Sequence, residues 1–168
     1  LRKVTQSANR VVVLRSGQAQ IAERVTPKEF NALRQTSGVK VAGVFGNENL
    51  ILHMNFKTPP FDNVRLRQAI AHAIPYDRIV RDGYYGQAKK WRGHIPSSYP
   101  GFHQPAMQYD FDQGKARSLL VDAGFPGGQG LDAFGDALIL SYITEKESTL
   151  GPIATAIRTA LRDVGINI

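Results

Sequence analysis

A set of apolar residues at helical spacing, followed directly by a proline, constrains the fold of this chain more than any other sequence feature. This apolar stripe lies within residues 59–80, PPFDNVRLRQAIAHAIPYDRIV, and consists of Leu66, Ile70, Ala73 and Ile74. This spacing places the four apolar side chains on one face of a helix. Pro75 disfavours helical backbone at the residue before it, so the helix must end there. Asp62 or Asn63 can cap its start, and Asp77 can cap a second helix beyond the proline.

The same stretch contains four basic or titratable side chains that could form a working surface, namely Arg65, Arg67, Arg78 and His72. At helical spacing, Arg65 and His72 fall on the side opposite the apolar stripe, and Arg67 lies near the stripe's edge. We therefore interpret these residues chiefly as the outer faces of packed helices. His72 is predicted to be a surface histidine rather than a catalytic base.

Charge signals further along the chain leave a second interpretation open. The chain has 168 residues, a net charge of +7 and no cysteine, which excludes disulfides and thiolate metal sites. Its basic residues are spread along the chain, and the densest cluster is Lys89, Lys90 and Arg92 around Trp91. Clustered charge with an aromatic residue is typical of nucleic-acid binding. A free-standing basic nucleic-acid-binding domain is therefore the alternative function.

Alternating helix and strand signals predict an α/β fold, more exactly an α+β domain with a mixed sheet. Helix starts are indicated by Asn9, by Thr26 followed by Pro27, by Asp112 and by Pro152. Apolar alternation or a short apolar run predicts strands at 19–25, 39–45, 49–56 and 137–143.

Motifs for catalysis or cofactor binding are weak. The glycine-rich stretch 126–130, PGGQG, lacks the Lys-Ser/Thr pair of a phosphate-binding loop. The histidines show no helical pair spacing, although His94 and His103 lie in one irregular segment and keep a metal-dependent hydrolase open as a further alternative. We predict no enzyme activity, no cofactor and no metal.

Several segments, in the correct order, resemble a known family. They are VVVLRSGQAQIAERVTPKEFNALRQTSGVKV (11–41), FKTPPFDNVRLRQAIAHAIPYDRIVRDGYYGQA (56–88), YDFDQGKARSLLVDAGF (109–125) and IATAIRTALRDVGINI (153–168). These are similar to the peptide/nickel-type solute-binding proteins, family 5, of bacterial ABC importers. The resemblance covers nearly the whole chain, and several matched segments in series are more specific than one motif.

The resemblance implies a periplasmic-binding-protein-like fold of two lobes, of which residues 1–168 would form lobe II as one domain, with lobe I absent from this chain. It also implies a periplasmic or extracytoplasmic receptor, of a kind that can be membrane-anchored in the full-length protein. Such a receptor captures a peptide or similar small solute between its lobes and delivers it to the membrane permease. We therefore expect a binding protein that has a permease as its partner and does not bind nucleic acid.

The resemblance also directs attention to loops that face the cleft between the lobes. The residues it implies as ligand-binding are Asn47, Glu48, Trp91, Tyr99, Thr144 and Lys146. In dipeptide-binding relatives an arginine near the last of these loops pairs with the peptide carboxylate. This chain has no arginine there, and Lys146 could take its place as a point charge, although without the two-pronged geometry of a guanidinium.

Overall fold

Six α-helices carry the fold in the computed structural model, which describes residues 3–44, 46, 48–91, 93, 95, 97, 99–105 and 108–168. They are α1 Ser7–Arg15, α2 Pro27–Leu33, α3 Val64–Ala73, α4 Tyr76–Arg78, α5 Gln113–Asp122 and α6 Glu147–Asp163. A π-helical turn, Ile79–Gly83, continues α4, and 3-10 turns occupy Pro126–Gly128, Leu131–Ala137 and Thr144–Lys146. None of the helices in these ranges is long and apolar enough to cross a membrane.

Helix α3 begins and ends as its sequence predicts. The Asn63 side chain accepts hydrogen bonds from the backbone N–H groups of Arg65 and Leu66, at 2.9 and 3.4 Å. Ile74 leaves the helix with an extended ψ of 124°, as the proline after it requires. All four stripe residues are buried. The prediction that Asp77 caps the next helix was wrong, because α4 starts at Tyr76 without a side-chain cap.

The hydrophobic core is built where α3, α5 and α6 meet. Asp112 caps α5 by accepting a 2.8 Å hydrogen bond from the Lys115 N–H, as predicted. Helix α6 begins at Glu147 rather than at Pro152, because the preceding 3-10 turn runs directly into it. Its predicted apolar stripe is nevertheless confirmed as buried at Ile153, Ile157, Ala160, Leu161 and Val164.

The predicted mixed sheet was wrong, because the described residues contain no β-strand. The alternation on which the prediction rested is real: Leu138 and Leu140 face the core, whereas Ile139 is 65% exposed. Likewise, Leu52 and Met54 pack on the core. A period-2 pattern determines which side chains face inward, but a strand also needs a neighbouring backbone to complete its hydrogen bonds. Here the inward side chains pack on the helical core instead.

The first two helices are joined by a polar cluster outside the main core. Thr26 caps α2 as predicted and also forms a capping box with Glu29, and the Ser7 hydroxyl of α1 donates to the same Glu29 carboxylate. Burial alone would raise the pKa of Glu29, but hydrogen bonds from Ser7 and Thr26 and the charge of Arg10 lower it overall. Helix α1 starts at Ser7 after Gln6, so the prediction that Asn9 caps it was wrong.

Two glycines let the chain after α5 cross the end of α6 at close range. Gly128 has a φ of +83°, and a Cβ placed there would lie 1.8 Å from the carbonyl oxygen of Gly165. Gly165 has a φ of +103°, and a Cβ placed there would overlap the Gly127 carbonyl. The neighbouring Gly127 also has a positive φ, +61°, but has open space around the position of a Cβ.

We predict that Gly128→Ala destabilises the protein by about 3 kcal/mol or more, since backbone overlap adds to the cost of a left-handed residue. Gly127→Ala is the matched control and should lose only about 1 kcal/mol, the cost of the left-handed conformation alone. Urea unfolding followed by circular dichroism measures both. Equal losses for the two variants would contradict the close approach.

Candidate functional site

Two of the predicted site residues form an ion pair that joins distant parts of the chain. The Lys146 Nζ lies 3.4 Å from the Glu48 Oε2, although 98 positions separate the residues in sequence. The side chains are 56% and 91% exposed, respectively. An ion pair this open to water contributes about 0–1 kcal/mol, so either side chain can exchange its partner at little cost.

The 3-10 turn Thr144–Lys146 positions the basic member of this pair. The Lys146 N–H donates a 3.2 Å hydrogen bond to the Ile143 carbonyl, and α6 begins with the next residue. Thr144 opens the same turn and is exposed, so it lies on the same loop surface as Lys146. Asn47 falls outside the described residues, and its predicted role stays a prediction.

Two tyrosines that were not among the predicted site residues interact with carboxylates of this region, Tyr84 with Glu48 and Tyr142 with Glu147. Burial raises the pKa of Tyr84, and the negative charge of Glu48 raises it further, which places Tyr84 near that carboxylate. A hydrogen bond to Glu147 chiefly raises the pKa of the exposed Tyr142. Tyr84 lies in the GYYG motif of a segment that resembles the family, and this motif could have drawn attention to it.

The aromatic candidates lie on the irregular segment between α4 and α5. Trp91 is half-buried, with its ring centroid 6.3 Å from that of Phe102 at an interplanar angle of 56°. Its indole Nε1 is buried and has no hydrogen-bond acceptor in the described part of the chain. Tyr99 is 45% exposed. No hydrogen bond or ring contact among the described residues joins Trp91 or Tyr99 to the Glu48–Lys146 pair.

The two lysines of the basic cluster around Trp91 that the structure describes are not free cations. The Lys90 ammonium pairs closely with the Asp110 carboxylate and lies 4.6 Å from the centroid of the Tyr76 ring. Lys89 is exposed but has a partner of its own, and Arg92 falls outside the described residues. The part of the cluster that the structure describes therefore gives no support to nucleic-acid binding.

His72 lies off the apolar stripe, as predicted, but it is half-buried rather than open to solvent. Its Nδ1 donates to the Asp110 carbonyl at 2.9 Å, and its ring meets the edge of Tyr109 at 5.3 Å between centroids. Within the described ranges there is no group of three or more side chains that could hold a metal ion. His94, which the metal-dependent alternative invoked, falls outside them.

Comparison with known proteins assigns the whole chain to one family. The family model described as "Bacterial extracellular solute-binding proteins, family 5 Middle" matches residues 1–168. The glutathione-binding protein GsiB of Salmonella typhimurium is 30% identical over 127 residues, which cover 76% of this chain and 25% of that protein. The probable D,D-dipeptide-binding periplasmic protein DdpA of Escherichia coli is 28% identical over 163 residues, 97% of this chain and 30% of that protein.

A solved structure has a similar fold. The dipeptide-binding protein of Pseudoalteromonas sp. SM9913, in complex with Met-Leu, superposes with a TM-score of 0.72 at 21% sequence identity. The match covers 96% of this chain and 31% of that one. The chain thus spans about a quarter to a third of the length of the proteins that it matches.

Each of the two tyrosines interacts with a different carboxylate, so two substitutions can test these interactions separately. Removal of a negative charge makes the phenolate easier to form, so Glu48→Gln should lower the pKa of Tyr84 and leave that of Tyr142 unchanged. Glu147→Gln should do the reverse. Carbon-13 NMR of ring-labelled tyrosine across a pH titration measures both values. A fall at the same tyrosine in both variants, or at neither tyrosine, would contradict the geometry.

Proposed function

The chain belongs to the bacterial extracellular solute-binding proteins of family 5, and on this premise we propose that it forms one wall of the solute site of an ABC importer's receptor. Residues 1–168 would be lobe II of a two-lobed protein that closes by hinge motion around a short peptide. The closed receptor would deliver the peptide to a membrane permease from a periplasmic or extracytoplasmic location.

Family membership confirms the resemblance predicted from the sequence. The family's members are solute-binding proteins, so the expectation of a binding protein rather than an enzyme is also confirmed. A general solute-binding role is therefore supported, and the solute, the permease and the location are the proposal. The names of the relatives favour short peptides, since these proteins are described as binding glutathione, D,D-dipeptides and a dipeptide.

The observation that carries the proposal is the exposed ion pair between Glu48 and Lys146. A free short peptide is a zwitterion, with an ammonium group at one end and a carboxylate at the other. The pair offers one charge of each sign within a few ångströms, so Lys146 can bind the peptide carboxylate and Glu48 the ammonium group. Because the pair itself is weak, a solute that replaces it with two charge-assisted hydrogen bonds gains on balance.

Trp91 adds an apolar surface to this wall, because its half-buried indole ring packs on Phe102 with 6.3 Å between the ring centroids. The exposed ring of Tyr99 can pack against the solute's side chains.

We predict that Lys146→Met in the intact receptor weakens binding of a free dipeptide about tenfold, the loss of one hydrogen bond to a charged group. The same variant should bind the C-amidated dipeptide as the unmodified receptor does, because that ligand has no carboxylate to lose. Isothermal titration calorimetry measures both affinities.

Lys57→Met, which replaces an exposed loop lysine, is the control and should leave both affinities unchanged. Equal loss for the free and amidated peptides, or no loss for either, would contradict the role of Lys146. We also expect the 168-residue chain alone to bind these peptides weakly or not at all, since it offers a single wall.

A further inference from the structure

We propose that Lys90 is a positioning residue that clamps the base of the irregular segment 91–109 and thereby sets the orientation of Trp91. This inference rests on the proposed function, because it assigns a purpose to the loop that carries two candidate solute contacts. Lys90 is directly attached to Trp91 in sequence, so a fixed Lys90 side chain fixes the start of the loop.

Two interactions of different kinds hold the Lys90 ammonium group. It pairs closely with the Asp110 carboxylate, and it lies over the Tyr76 ring at 4.6 Å from the centroid. The Lys90 side chain is only 20% exposed. A cation held between a carboxylate and an aromatic face, and partly shielded from water, is bound more firmly than an exposed surface pair.

The residues that receive Lys90 are themselves fixed at the junction of α3 and α4. The Tyr76 hydroxyl donates to the Ala71 carbonyl at 2.9 Å. On the other side, His72 donates to the Asp110 carbonyl at 2.9 Å, and the Asp112 N–H donates to the His72 carbonyl at 2.8 Å. The last turn of α3 thus anchors the chain that returns from the loop.

Both ends of the loop consequently meet at one point. Lys90 closes the outgoing end on Asp110, which stands just after the returning end, and both rest on the α3–α4 junction. The segment between them begins with Trp91 and includes Tyr99. A loop closed at its base keeps fewer conformations in the absence of solute, so less ordering free energy is lost when the solute binds. Loss of the clamp should therefore weaken binding without removing any direct contact to the solute.

The fluorescence of Trp91 in the intact receptor tests the clamp without any ligand. Trp91 is the only tryptophan of this 168-residue chain, and subtraction of the emission of the matching Trp91→Phe variant removes the signal of tryptophans outside it. Lys90→Met keeps the aliphatic stem and removes the charge. We expect its emission to shift to longer wavelength and acrylamide quenching to rise, as the indole becomes exposed. Lys90→Arg should restore both signals, and Lys115→Met, at an exposed lysine of α5, should leave them unchanged.

Solute affinity in the intact receptor tests the consequence. Lys90→Met should weaken dipeptide binding about tenfold, because the variant loses a partly shielded cation–π contact and an ion pair that hold the loop ready for solute. Lys90→Arg keeps the charge and should restore the affinity. Should Lys90→Met not fold, Asp110→Asn removes the same charge pair, keeps the backbone carbonyl that His72 uses, and gives the same readouts.

The results distinguish a failure of the Lys90 clamp from a failure of the proposed solute-binding function. Unchanged Trp91 emission in the folded variants would overturn the clamp. Changed emission with unchanged affinity would overturn the positioning role. In that case the affinity of Trp91→Ala shows whether Trp91 contacts the solute. If this variant also leaves the affinity unchanged, the proposed contact between Trp91 and the solute is wrong.

Discussion

The packing of α3 against α5 is the contact on which the rest of the molecule depends. Leu66 and Ala69 from α3 and Leu120 from α5 are completely buried. Two hydrogen bonds tie the ends of these helices together: Asn63 donates to the Ala123 carbonyl, and the Asp112 N–H donates to the His72 carbonyl. Because the helices lie antiparallel along this contact, the start of α5 is held at the end of α3, where the Trp91 loop must return.

The two lysine ion pairs of the site differ in a way that matches their proposed tasks. Lys90 is largely shielded and has a carboxylate and an aromatic ring as partners, whereas Lys146 and Glu48 are open to water. Although the Asp110 side chain is 68% exposed, a shielded cation with two partners exchanges them less readily and suits the fixing of a loop. An exposed pair is held by little net free energy, so a solute with complementary charges can replace it. The chain thus has one ion pair with a shielded cation at the base of a loop and a second, exposed ion pair.

Sequence reasoning predicted the parts of the fold that depend on local patterns. The stripes of α3 and α6 and the caps at Asn63, Thr26 and Asp112 are local, and the structure has them. The sheet was not predictable in the same way, because strand pairing is a long-range relation that alternation does not encode. The resemblance to a family selected Glu48 and Lys146 as separate candidates, whereas their ion pair was not predicted and is a finding of the structure. Tyr84 was missed because its proximity to Glu48 arises only from tertiary packing.

Hydrogen–deuterium exchange of the intact receptor, with and without a saturating dipeptide, tests most directly whether this chain forms a wall of the solute site. We predict that the dipeptide slows exchange at residues 144–146 and at Trp91, and leaves α5 unchanged because its packing is complete without solute. Protection confined to α5, or no protection anywhere in residues 1–168 while the dipeptide is bound, would contradict it.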